Sequence, residues 1–94
     1  MNTRVYAQIK ELKEILAKQY GIKKIALIGS QARDDFTPDS DVDIVIIEGK
    51  KDYFNRYRAI QFLSEKLKKK VDLFYYDSIR PVLKESIKKD LIDV

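Results

Sequence analysis

GSQARDDFTPDSDVDIVI, residues 29–46, opens with a turn and closes with a strand. Val42 to Ile47 (VDIVII) is nearly continuous in β-branched residues, the composition of a strand buried on both faces. Gly29-Ser30 ends an earlier apolar run, Ile22 to Ile28 (IKKIALI), which also reads as a strand. Between the two, Gln31 to Asp34 has the length of one helical turn, and Phe36-Thr37-Pro38-Asp39-Ser40 is a loop. Asp41 and Asp43 stand two apart at the mouth of the second strand, so the period of two puts both on one face of the sheet. Two carboxylates so placed repel, and they persist comfortably only beside positive charge.

Outward from this stretch, the chain alternates helix and strand. Val5, Ile9, Leu12, Ile15 and Leu16 recur at helical spacing, which predicts a helix from Thr3 to Tyr20, capped by Asn2 or Thr3 and ended by Gly21. Tyr53, Tyr57, Ile60, Leu63 and Leu67 share one face of a second long helix, Asp52 to Lys69. Val71 to Tyr76 (VDLFYY) is a third strand. Asp77 or Ser78 is expected to cap a last helix, with Pro81 in its first turn and Ile79, Leu83, Ile87 and Leu91 as its buried stripe. The expected fold class is α/β (α+β): one small mixed sheet of about three strands flanked by four helices. Residues 1–94 read as a single domain, without linker, repeat or low-complexity segment.

Composition narrows the chemistry. The 94 residues contain no cysteine, so neither disulfides nor a thiolate metal site holds the fold. They contain no histidine, which excludes imidazole ligands, a Ser–His–Asp triad and a histidine acid–base. No apolar run approaches the roughly 18–20 residues that span a bilayer, and no signal-peptide pattern follows Met1, so a cytoplasmic protein is expected. Lys and Arg total 19 against 15 Asp and Glu, a net charge of +4. That average hides an asymmetry. From Gly29 to Glu48 one base, Arg33, faces six acids, giving −5 and leaving +9 for the rest. An acidic segment inside a basic protein is either a solvated loop or a cation site, and the surrounding positive field suits a polyanionic substrate or partner.

Two further features favour the cation site. Asp72 interrupts the apolar run VDLFYY, as Asp43 interrupts VDIVII, and Asp is a poor strand residue. If the third strand neighbours the first or second, its carboxylate joins the other two. With oxygen ligands alone, such a site points to a hard cation, Mg²⁺ above all. Gly29 lets backbone approach a ligand, Ser30 offers a hydroxyl, and amides at a helix start favour phosphate oxygens.

The order Gly29-Ser30, ten residues, Asp41-x-Asp43, then an acid in a later strand resembles the nucleotidyltransferase superfamily that includes DNA polymerase β. The quoted stretch, with its Gly-Ser-x-Ala-Arg start ending at Ala32-Arg33, is similar to the minimal nucleotidyltransferase (MNT) subfamily, the MntA-type antitoxins of HEPN/MNT modules. The resemblance implies a mixed sheet, Mg²⁺ (two ions) and a nucleoside triphosphate. It assigns Asp41, Asp43 and Asp72 as catalytic metal ligands. It assigns Gly29, Ser30 and Arg33 to nucleotide binding, although Arg33 is equally placed to pair with Asp34, Asp35 or Asp39.

The activity implied is transfer of a nucleoside monophosphate to a hydroxyl with release of pyrophosphate. In the subfamily it is transfer of AMP from ATP to a tyrosine of a HEPN ribonuclease toxin, an AMPylation that silences the toxin. Two other readings stay open. One is a non-catalytic antitoxin that masks the toxin by contact, for which exposed aromatics would serve. Tyr53, Phe54, Tyr57, Phe62, Phe74, Tyr75 and Tyr76 are many for so short a chain, and their periods place most of them in the core. The other is a transferase acting on a small molecule or an RNA end. No RNP, zinc-finger or helix-turn-helix pattern supports direct nucleic-acid binding.

Overall fold

A computed structural model describes residues 1–94. Its centre is a mixed four-stranded sheet in the order β3-β2-β1-β4, built from β1 (Ile22–Ile28), β2 (Val42–Gly49), β3 (Val71–Tyr75) and β4 (Ile92–Asp93). The β1 and β2 strands run antiparallel, with Ile28 opposite Asp43. β2 and β3 run parallel in the register Val42↔Val71, Asp43↔Asp72, Ile44↔Leu73. The similar runs VDI and VDL therefore lie side by side, and their two aspartates are neighbours.

Alternation along β2 separates two faces. Ile44 and Ile46 join Val5, Ile9, Leu16, Leu27, Leu63 and Leu73 in the main core. Helices α1 (Thr3–Tyr20) and α2 (Tyr53–Leu67) cover this side. Full burial of each such Leu or Ile contributes roughly 1.5–3 kcal/mol. The opposite face is thinner. There Ala26, Ile28 and Val45 pack with Ile47, Ile79, Ile87 and Leu91 under helix α3 (Pro81–Lys88). Asp43 belongs to this second face, in step with Val45, and Asp72 stands beside it. α3 covers only part of the face, so the carboxylates stay reachable.

Local chemistry explains the helix ends. Asn2 caps α1 by accepting from the Val5 N–H at 3.2 Å, and Gly21 ends it in the left-handed region at φ 65°. Asp52 caps α2 by accepting from the Asn55 N–H at 3.1 Å. At its other end Lys68 takes the left-handed position usually given to glycine, at φ 55°.

The α/β class with a mixed sheet is as expected, but the element count differs: four strands and three α-helices. The fourth strand has only two residues, pairing Leu27 with Ile92 and Ala26 with Asp93, too short to show a period. The helical turn in the acidic stretch is a 3₁₀ turn at Gly29–Gln31, two residues earlier than the sequence indicates. Asp77 and Ser78 do not cap the last helix. They lie in a 3₁₀ turn, and α3 starts at Pro81 with Arg80 as its capless boundary residue. Proline disfavours the helical conformation at the residue before it, and Arg80 is extended at φ −60°, ψ 142°. The aromatic assignment fails as well: Tyr53, Phe54, Tyr57 and Phe74 are exposed, and of the seven only Tyr75 is buried. The buried stripe of α2 is Ala59, Leu63 and Leu67, so Tyr53 and Tyr57 fall at its solvent margin.

Candidate active site

Asp43 lies within β2 and Asp72 within β3, as direct register partners. Like charges opposite each other across strands destabilise a sheet, and no lysine or arginine forms an ion pair with either. Asp41 is exposed, one residue before β2. Partial burial first, then the charges of Asp72 and Asp41, push the Asp43 carboxyl above the usual carboxylate range, while Lys70 pulls it down. The sheet register continued backwards sets Lys70 beside Asp41, and the Val42 N–H donates to the Lys70 carbonyl at 2.8 Å.

The turn after β1 reaches the same place. Gly29 is left-handed at φ 73°, and a Cβ there would stand 2.8 Å from Asp43 Oδ2. Only glycine therefore meets both the conformation and the close approach. Ser30 follows, half-buried, in a turn of three residues. That turn is too short for a substantial helix dipole, so any anion held here relies on the hydroxyl and individual amides. Arg33 points to acidic neighbours: Nε donates to Asp35 at 3.2 Å, and Nη1 lies 3.8 Å from Asp90.

The sequence gives no hint of Gln31, whose side chain is fully buried. Nε2 donates to the Ser40 carbonyl at 3.2 Å and the Asp41 carbonyl at 3.4 Å, and Oε1 accepts from Asn2 Nδ2 at 2.8 Å. Phe74, one of the seven aromatics, is exposed, two residues beyond Asp72 on the same face. It borders two clefts. One, of about 230 Å³, is lined by Ile28, Asp43, Phe74, Ile79, Leu83 and Ile87. The other, of about 280 Å³, includes Tyr53, Arg56, Phe74, Ser78 and Ile79.

As they stand, no three acidic side chains converge closely enough to enclose one ion. The donor set nevertheless fits a divalent cation. It is all carboxylate oxygen, unpaired, and one member is held partly buried against its own electrostatic preference.

Residues 9–94 match the nucleotidyltransferase domain family. This chain belongs to that family. The nucleotidyltransferase is 40% identical over 99 residues to a candidate protein adenylyltransferase of Methanocaldococcus jannaschii, covering 97% of this chain and 99% of that one. Its fold is similar to that of a candidate minimal nucleotidyltransferase, with a TM-score of 0.78 at 23% identity, over 100% of this chain and 97% of the other. It is also similar to a chain of the complex between tri-AMPylated Shewanella oneidensis HEPN toxin and MNT antitoxin. There the TM-score is 0.71 at 22% identity, over 99% of this chain and 71% of that one. No helix of the nucleotidyltransferase is long and apolar enough to cross a membrane.

Proposed function

We propose that this nucleotidyltransferase is the antitoxin of a HEPN/MNT toxin–antitoxin module and transfers AMP from ATP to a tyrosine hydroxyl of its HEPN partner. The observation that carries the reading is the in-register pair Asp43–Asp72 beside Asp41, with glycine backbone against Asp43. The kinship to candidate protein adenylyltransferases and the fold shared with a chain of the AMPylated toxin complex support it.

In this reading Asp41, Asp43 and Asp72 would hold Mg²⁺, which when bound would neutralise charge at phosphate oxygens and lower the pKa of the attacking hydroxyl. Gly29, lacking a side chain, lets the Asp43 carboxylate lie against the turn and presents bare backbone to a phosphate, and Ser30 donates its hydroxyl to a phosphate oxygen. Arg33, half-exposed, exchanges its long contact with Asp90 for a phosphate. Asp72, on the edge strand, faces the incoming tyrosine and accepts its proton as the new phosphate ester forms and pyrophosphate leaves. Positioning and charge stabilisation provide most of the acceleration.

The direct test mixes the chain with Mg²⁺, ATP labelled at the α-phosphate, and the HEPN protein encoded beside it. The expected result is label on a tyrosine of that protein, lost with Asp41→Ala plus Asp43→Ala. No label, or label unchanged in the double variant, contradicts the reading. The exposed Tyr53, Phe54 and Tyr57 on α2 favour a second reading, neutralisation by contact alone. Toxin neutralisation that survives Asp41→Asn would select it.

A further inference from the structure

We propose that Gln31 is the positioning residue that holds Asp41 in place relative to the Gly29–Ser30 turn. The inference rests on the reading of Asp41 as a cation ligand. Asp41 is exposed, and its side chain takes part in no hydrogen bond or ion pair, so its location is set by its backbone alone. That backbone has two anchors. On one side the Val42 N–H bonds the Lys70 carbonyl and begins the β2–β3 ladder. On the other, the Gln31 amide donates to the carbonyls of both Ser40 and Asp41. The preceding loop is held by the Ser40 N–H bonding the Thr37 carbonyl, the Thr37 N–H bonding Ser40 Oγ and the Lys69 Nζ donating to the Pro38 carbonyl at 2.9 Å, none of which touches the Asp41 backbone itself.

The other end of Gln31 is fixed too. Its side-chain oxygen accepts from Asn2 Nδ2, and its backbone carbonyl accepts from the Asn2 N–H at 2.8 Å. Gln31 also closes the 3₁₀ turn that contains Gly29 and Ser30. One enclosed amide thus ties the cap of α1, the candidate phosphate turn and the approach to the carboxylate pair. A buried amide is costly unless bonded, and here both of its hydrogens are used. An apolar side chain of equal size would fill the space and leave the carbonyls of Ser40 and Asp41 free to drift. Groups that orient metal ligands in this way change metal affinity about 10–100-fold when removed.

The test compares the wild-type chain with Gln31→Met, which keeps the volume and removes the bonds, and with Asn2→Ser, which keeps the helix cap but is too short to reach Gln31. Mn²⁺ binding in the presence of a nonhydrolysable ATP analogue is measured by calorimetry, and the melting temperature of the metal-free protein is recorded alongside. Gln31→Met is expected to bind Mn²⁺ about 10–100-fold more weakly. AMP transfer should recover at saturating Mn²⁺, which a folding defect would not allow. Asn2→Ser should show a smaller loss in the same direction, and it decides the matter if Gln31→Met does not fold. Folded variants that bind Mn²⁺ within twofold of wild type overturn the role of Gln31 alone. Absence of Mn²⁺ binding by the wild type overturns the reading of Asp41, and this inference with it.

Discussion

At the scale of single residues, the site places function above stability. Asp43 is half-buried against two other carboxylates, and its folded-state pKa is raised. The native chain therefore binds a proton there more tightly than the unfolded chain does. Without metal, this carboxyl's contribution to stability is fully present below its unfolded-state pKa and is lost as pH rises through the raised one. Asp43→Asn should melt higher than wild type at neutral pH in EDTA, by about 4–8 °C for each kcal/mol of repulsion removed. It should also lose transfer by more than about 100-fold. A lower melting temperature would show that the carboxylate is structurally required. Gly29→Ala should cost about 1–2 kcal/mol for the left-handed conformation alone and depress transfer as well, because its methyl meets Asp43 Oδ2. Urea melts with a labelled-ATP assay check both.

At the scale of elements, the strands were legible because VDIVII and VDLFYY carry enough β-branched and aromatic residues to leave no helical alternative. Their parallel pairing was not legible, since register depends on the whole sheet, and Asp72 reaches Asp43 only through it. Gln31 gave no signal because a polar residue in a turn is ordinary; only its complete enclosure marks it. The aromatics of α2 misled because helical spacing states which residues share a face and not how wide the covered stripe is. The edge strand β3 is closed by Arg56, whose Nη1 donates to the Leu73 carbonyl at 2.6 Å. Lys68 is the one non-glycine residue with positive φ. Lys68→Gly should raise stability by about 0.5–1 kcal/mol, the left-handed penalty less the added freedom of the unfolded chain. Transfer should be unchanged. Denaturant midpoints decide this, and a fall would show that the lysine stem contributes packing.

At the scale of the whole molecule, charge is arranged in two regions. An acidic patch at the ends of β2 and β3 sits in a chain of net charge +4. A divalent cation bound only by the folded state stabilises it by mass action, about 2.7 kcal/mol at a hundred times its dissociation constant. Mg²⁺ with a nonhydrolysable ATP analogue should therefore raise the melting temperature of wild type and leave that of Asp43→Asn unmoved. The most direct test of the proposed three-carboxylate site is a calorimetric titration of that Mg²⁺–nucleotide into wild type and into the double variant Asp43→Asn, Asp72→Asn. Saturable uptake by wild type and none by the folded variant is the expected result. No uptake by wild type, or equal uptake by both proteins, would contradict it.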